Sequence, residues 1–315
     1  MLKIKNKWII KGLKLLGILF LCLNIIAFFH TYKFTHFSSA NIEKSKDGFK
    51  LSRIEKLKTI LFGINNPRPI NEKTPTQKYE TIILDGKKKT ECWAVKTDSI
   101  AKGTIVVCHG YSGSKSGMIG KSDEFLKMGY NTLLLDFMGS GGSGGNITTI
   151  GYYEAEQVQM AFNYLKNKGV NNIVLMGTSM GAVAIMKAIQ DYQLTPCAII
   201  LECPFGSMLK TTKARFTEMK VPSFPMANLL VFWGGVQNNF WAYGHSPINY
   251  ARNINCKTLL LYGEKDTKVS KQEIDDIYTN LKGQKTLGSY PLAGHEDYLN
   301  EYKNEWVIDV KFFLK

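Results

Sequence analysis

The stretch NIVLMGTSMGAVAIMKAI, Asn172 to Ile189, decides how the rest of the chain is read. An apolar run predicts a strand, and Gly177-Thr178-Ser179-Met180-Gly181 follows it with the pattern G-x-S-x-G. The segment after it predicts a helix over Met180–Tyr192. A serine between two glycines at a strand-to-helix junction is what a sharp, strained turn demands. A side chain at either glycine would collide with the neighbouring strand or helix. Such a turn lifts the hydroxyl above a sheet, at a helix start whose dipole favours developing negative charge. Ser179 is therefore the candidate nucleophile.

A serine hydroxyl needs a base, and the base needs an orienting acid. Five histidines are available. His30 and His36 flank an apolar N-terminal segment, and His245 sits in a G-H-S-P turn that reads as a helix entry. His109 precedes the nucleophile in VVCHGYSGS, where it reads as a loop brace. His295, after Ala293-Gly294, is left as the base. Asp266 follows the apolar run Leu259–Tyr262 and is the candidate acid, with Glu264 and Asp297 as nearby competitors. The oxyanion of an acyl-transfer intermediate needs backbone donors. The N–H of Met180 is one candidate, and that of Tyr111, just past His109-Gly110, is the other.

From Tyr79 onward, β-rich runs alternate with helical stretches. ETIIL and TECWAV read as an antiparallel pair. TIVVCHG, NTLLLDF, NIVLMG, AIILEC and TLLLYG are nearly unbroken apolar runs, the mark of strands buried on both faces of a parallel sheet. Helices are expected at Ser122–Met128, Tyr152–Lys168, Met180–Tyr192 and Ser270–Leu281. The alternation implies an α/β fold with helices on both faces of the sheet. An insertion at about 205–254 reads as a small helical cap, in which Phe232, Trp233, Phe240, Trp241 and Tyr243 either line an apolar pocket or pack the cap on the sheet.

LLLDFMGSGGSGGN, Leu133 to Asn146, contains the letters G-x-G-x-x-G of a dinucleotide loop. A nucleotide site needs that loop to open directly into a helix, with an acid about 20 residues on. Here NITTIG intervenes before the helix, the downstream acids Glu154 and Glu156 lie within that helix, and GSKS lacks the order of a phosphate loop. Taken together, the HG loop, the D-F-M-G-S-G-G-S-G-G loop, G-T-S-M-G-A and A-G-H resemble the α/β-hydrolases, in particular the serine aminopeptidase-like and BEM46-like branch. The resemblance runs from about Tyr79 to Leu314. It implies an α/β-hydrolase fold with an eight-stranded, mostly parallel sheet, no cofactor, and acyl transfer to water through an acyl-serine. Ser179, Asp266 and His295 fill the triad positions. One departure is Met138, which stands where these relatives carry an arginine that ties down the loop.

Of the formal net charge of +14, +9 falls in the first 60 residues, around one apolar segment. That placement favours a membrane surface over nucleic acid as the acidic partner. LLGILFLCLNIIAFF, Leu15 to Phe29, follows Lys3, Lys5, Lys7, Lys11 and Lys14. Counted from Trp8 or Leu13, with lysines snorkelling, it is long enough to span a bilayer. The lysines predict a cytoplasmic N-terminus and a catalytic domain outside; a signal peptide cleaved near Ser38-Ser39-Ala40 is the rival. Residues 36–78 hold an amphipathic helix, with Leu51, Ile54, Leu57 and Leu61 on one face, and then a three-proline linker. The helix rests either on the membrane or on the domain. The six cysteines form no disulfide pattern, and without C-x-x-C or H-E-x-x-H no metal site is expected. The expectation is a membrane-anchored serine hydrolase (residues 1–35 anchor, 79–315 hydrolase domain) acting on a small-molecule or lipid-like ester or thioester with an apolar acyl group. A peptidase or amidase, and a catalytically silent binding protein, are the alternatives.

Overall fold

The computed structural model describes residues 2–39, 42–46, 50–295 and 298–315, with side chains from Lys7 onward. Lys3 and Lys5 of the basic flank, Ala40 of the possible cleavage site and Asp297 among the candidate acids lie outside the described side chains. Eight strands form one sheet: β1 (Tyr79–Leu84), β2 (Thr90–Val95), β3 (Thr104–Cys108), β4 (Asn131–Leu135), β5 (Ile173–Thr178), β6 (Ala198–Glu202), β7 (Lys257–Gly263) and β8 (Lys285–Tyr290). Their spatial order is β1-β2-β4-β3-β5-β6-β7-β8. β2 pairs antiparallel with β1 and β4, and every other pairing is parallel.

The helices are α1 (Leu2–Thr35), α2 (Arg53–Phe62), α3 (Ile119–Lys127), α4 (Glu154–Asn167), α5 (Met180–Tyr192) and α6 (Met208–Met219). They continue with α7 (Met226–Asn238), α8 (Pro247–Tyr250), α9 (Lys271–Asn280), α10 (Tyr298–Glu301) and α11 (Lys303–Phe313). The period-2 rule of a strand sorts the core into two layers. Val106, Cys108, Ile173 and Leu175 pack toward α4, α5 and α9. Ile105, Val107, Val174 and Met176 pack toward α3 and α11, whose Phe125 and Trp306 are fully buried. All five residues of β3 and of β6 are buried, which explains why their runs carry no polar alternation.

The glycine loop after β4 wraps a buried ionic cluster. Asp136 Oδ1 accepts the Lys115 N–H at 2.7 Å, and Oδ2 accepts the Lys115 ammonium, the Gly142 N–H and the Asn71 amide. Lys115 also reaches Glu91 at 2.9 Å and lies 4.2 Å over the Trp93 ring. A Cβ on Gly141 would lie 1.9 Å from Asp136 Oδ2, and one on Gly142 would lie 2.1 Å from the Glu91 carboxylate. The glycine density therefore serves close approach to these carboxylates. Met138 is buried and makes no substitute for an arginine, but Arg68 supplies a guanidinium from the proline-rich segment. It donates to the carbonyls of Gly145, Ser143 (2.5 Å) and Gly141 (3.2 Å). Gly141 N–H in turn donates to Pro69 O at 2.9 Å. The segment read as a linker is thus strapped to the loop.

Among the described residues α1 is the one helix long and apolar enough to cross a membrane, over Lys7–Thr35. Residues 7–22 are exposed throughout: Trp8, Leu13, Leu16 and Phe20 are each at least 60% exposed. Its second half packs on the cap through Ala27, Thr31 and Thr35, a ridge of small residues at i, i+4 spacing. Thr31 donates to Leu230 O, Trp233 to Asn24 Oδ1, and Gln237 to Phe28 O, so α1 and α7 are joined by polar as well as apolar contacts. α2 buries no residue, and Ile54, Leu57 and Leu61 face outward.

Arg68→Ala removes three donors from the glycine loop. The expected cost is about 1–3 kcal/mol of stability, with faster amide exchange over residues 139–145. Thermal unfolding in detergent and hydrogen exchange check this, and unchanged exchange would mean that the loop does not depend on Arg68.

Candidate active site

The junction of β5 and α5 is a strained turn. Ser179 has φ 50° and ψ −110°, a region that costs a non-glycine residue about 1–3 kcal/mol. The surrounding packing enforces it. A Cβ on Gly177 would lie 2.4 Å from the carbonyl carbon of Gly181, and one on Gly181 would lie 2.5 Å from Cys108 O. No side chain fits at either position. Ser179 N–H donates to Glu202 O at 2.8 Å, which ties the turn to β6.

Three elements distant in sequence converge on the Ser179 hydroxyl. His295, in the loop after β8, has its Nε2 2.9 Å from Ser179 Oγ. Its Nδ1 lies 2.7 Å from Asp266 Oδ2. The other oxygen of Asp266 accepts the N–H groups of Lys268 (2.7 Å) and Val269 (2.9 Å), which fixes the carboxylate. Glu264 points elsewhere and accepts the Ser289 hydroxyl. The bond from Nδ1 to the carboxylate leaves Nε2 as an acceptor for the serine proton in the neutral ring. Burial opposes a charged imidazole, but the polarisable Cys203 sulfur beside it and the Asp266 carboxylate bonded to Nδ1 outweigh it and raise the His295 pKa well above its ordinary value.

Cys203 is the neighbour that motif reading missed. It follows β6, is buried, and places a ligand-type atom within 4.8 Å of those of Asp266 and His295. That trio has the chemistry of a soft-metal site. However, both Asp266 oxygens and both His295 nitrogens already have protein partners, so the arrangement offers a metal no unused imidazole or carboxylate atom.

The N–H groups of Tyr111 and Met180 donate to no acceptor among the described residues. The loop carrying Tyr111 lies against the turn: a Cβ on Gly110 would be 3.4 Å from Thr178 O and 3.8 Å from Ser179 Cβ. His109 braces this loop. Its Nε2 accepts the Phe137 N–H at 3.0 Å, so the proton sits on Nδ1 and points to Gly110 O at 2.8 Å. Burial lowers its pKa, in keeping with this neutral form. The Tyr111 side chain is held by α1, because its hydroxyl donates to Phe34 O at 2.8 Å and its ring stacks on Phe34 at 4.7 Å.

Below the turn, Glu202 is fully buried. It accepts the Lys121 ammonium at 2.7 Å, the Thr178 hydroxyl at 2.7 Å and the Trp306 indole at 2.7 Å. His245 is equally buried, between Tyr250 OH and Ile150 O, and burial lowers its pKa to about 4. It serves the cap rather than the site.

A cavity of about 620 Å³ opens over Ser179 and His295. Of the five cap aromatics, only Phe240 lines it. Trp233 packs edge-on against Phe28 of α1, Phe232 leans on Trp233, Trp241 is 68% exposed, and Tyr243 donates to Asn228 O. The bulky face of α7 is turned to α1, and the cavity wall comes instead from Met208, Phe216, Leu230 and Val231.

This geometry agrees with what comparison with known proteins finds. The model of the serine aminopeptidase family S33 matches residues 99–240, which include Ser179 but stop short of Asp266 and His295. An uncharacterised protein of Bacillus subtilis (strain 168), YqkD, is 27% identical over 192 residues, 58% of this chain. The match spans 62% of that relative's length. The Pyrococcus furiosus esterase Pf2001 superposes with a TM-score of 0.66 at 24% identity, covering 79% of this chain and 96% of its own. An esterase of Exiguobacterium antarcticum gives 0.56 at 18% identity, over 76% of this chain and all of its own. The chain has the α/β-hydrolase fold.

In this fold the Glu202 cluster supports the turn from beneath. Glu202→Gln removes the buried carboxylate that the Lys121 ammonium, the Thr178 hydroxyl and the Trp306 indole share, at an expected cost of about 3–5 kcal/mol. Thermal unfolding measures it, and a loss below about 1 kcal/mol would show that the cluster does not hold the turn.

Proposed function

We propose that the chain is a membrane-anchored serine hydrolase that cleaves an ester or thioester of an apolar acyl group through an acyl-Ser179 intermediate. The observation that carries this reading is His295 bridging Ser179 Oγ at 2.9 Å and Asp266 Oδ2 at 2.7 Å. His295 Nε2 takes the hydroxyl proton as Oγ attacks the acyl carbon. The N–H groups of Met180 and Tyr111 receive the oxyanion. His295 then returns the proton to the departing alkoxide or thiolate. Water, deprotonated by His295, attacks the acyl-serine and releases the acid. The two solved relatives are esterases by name, which is in keeping with this chemistry.

A peptidase that reads a free amine needs a carboxylate facing its substrate. Glu202 is buried beneath the turn with Lys121, and the cavity lining has Glu218 as its acid among the described residues, engaged by the Thr267 hydroxyl. An ester or thioester is therefore favoured. α1 acts as a retained anchor, with the N-terminus in the cytoplasm and the catalytic domain outside. Its contacts with Tyr111 and the cap speak against removal of residues 1–40. The intact mass of the mature protein from membranes should be that of the uncleaved chain, whereas a chain starting after Ala40 would overturn retention.

Wild type should label with a fluorophosphonate and Ser179→Ala should not; equal labelling would refute the nucleophile. The general base acts in its neutral form. With the His295 pKa raised, kcat/KM on a short ester should increase with pH through a midpoint above about 6.5 and be lost as pH falls through it. Asp266→Asn should move that midpoint down and lower kcat by roughly four orders of magnitude. A plateau already reached at pH 6 would contradict the assignment.

A further inference from the structure

We infer that the substrate is a long-chain acyl lipid with an anionic headgroup, taken from the leaflet that α1 occupies and oriented by Arg215; this rests on the hydrolase reading above. The cavity over Ser179 is walled in part by the membrane helix itself, through His30, Thr31, Phe34 and Thr35. Trp8 to Ala27 is a 20-residue stretch and rises roughly 30 Å, the thickness of a hydrocarbon core. Phe34 stands about 10 Å further along the axis, at the depth of the headgroup layer. The catalytic cavity thus begins where the bilayer ends.

The surface around this exit is built to sit in a lipid interface. Ile54, Leu57 and Phe62 of α2 are each more than half exposed, as is Val236 of α7, while Phe232 is 43% exposed. Lys50, Arg53, Lys56 and Lys58 interleave with the apolar face of α2. Apolar side chains with interspersed cations suit an interface of anionic lipids. A substrate already in the leaflet would meet the cavity without crossing water.

Arg215 gives the cavity its charge preference. Its guanidinium lies 4.7 Å over the Phe34 ring and 5.6 Å over the Tyr111 ring, held between the membrane helix and the loop that carries the oxyanion donor. Among the described residues it pairs with no carboxylate, unlike Lys46 and Lys121, which line the same cavity and pair with Glu55 and Glu202. Aromatic faces fix a guanidinium in place while leaving its N–H fork for a ligand; that fork matches phosphate, and its positive charge opposes the ammonium that a zwitterionic headgroup carries beside its phosphate. With the headgroup phosphate on Arg215, the acyl ester lies toward Ser179. The acyl carbon–oxygen bond breaks, the lyso-lipid alcohol takes the proton from His295, and water releases the fatty acid.

The test uses full-length protein in phosphatidylcholine vesicles doped with either phosphatidylglycerol or phosphatidylethanolamine of the same acyl composition. Fatty acid and lyso-lipid released from each dopant are read by mass spectrometry. Because the anchor holds the enzyme in every vesicle, the ratio reports the cavity and not recruitment. Wild type should favour phosphatidylglycerol by roughly tenfold. Arg215→Gln should bring the ratio near one, and Arg215→Lys should keep part of it. Equal release from the two lipids, or a ratio unchanged in Arg215→Gln, would overturn the proposal. Fluorophosphonate labelling in the same vesicles separates the failures. A protein that labels at Ser179 and hydrolyses p-nitrophenyl butyrate but releases no fatty acid sinks the lipid proposal alone. A protein that does neither sinks the hydrolase reading with it.

Discussion

The close approach of the β3 loop to the start of α5 is the constraint on which the site depends. Gly181 lies so near the carbonyls of Cys108 and His109 that no side chain fits between them. That contact forces the backbone at Ser179 into its strained conformation. It also sets the loop that carries Tyr111 against the turn, with Gly110 close to Thr178 O and Ser179 Cβ. Strain of this kind persists only when the surroundings over-determine it. Here β6 holds the turn through Glu202 O, the buried Lys121–Glu202–Trp306 cluster supports it, and His109 links the loop to Phe137.

The parallel sheet and the elbow were legible in the sequence because their causes are local. Buried strands need unbroken apolar runs, and a strained serine turn needs glycine on both sides. α5 spans Met180–Tyr192, the range its pattern predicts. Asp266 and His295 were legible by position, since each follows an apolar run that becomes a neighbouring strand, and the structure brings both to Ser179. The acid could not be separated from Glu264 by spacing alone. The geometry distinguishes them, because Asp266 faces the imidazole and Glu264 faces Ser289.

What stayed hidden depends on contacts between segments far apart in the chain. Met138 left the glycine loop without its arginine, and nothing in the local pattern indicates that Arg68, some 70 residues earlier, replaces it. The proline-rich segment reads as a spacer because its contacts lie with Gly141 and Asp136, not with its neighbours in sequence. The cap aromatics illustrate the same limit. Phe232 and Trp233 are apolar enough to line a pocket, but the helix that carries them turns that face to α1. Cys203 has no motif around it and owes its position beside His295 to the end of β6.

The least foreseeable feature is that α1 and the α/β body form one structure. A helix long and apolar enough to cross a membrane needs only length and hydropathy, and residues 7–22 of α1 are exposed throughout. From Asn24 onward the helix carries small and polar residues at the spacing that fits α7, and Phe34 holds Tyr111 of the loop that lies against the Ser179 turn. The central claim of the account is chemical: an acyl group passes through Ser179. The direct measurement is peptide-level mass spectrometry of the full-length protein, acid-quenched during turnover of a p-nitrophenyl palmitate substrate in detergent. The account predicts a palmitoyl adduct on the peptide bearing Ser179, absent from Ser179→Ala. An adduct on Cys203, or turnover that persists in Ser179→Ala, would contradict it.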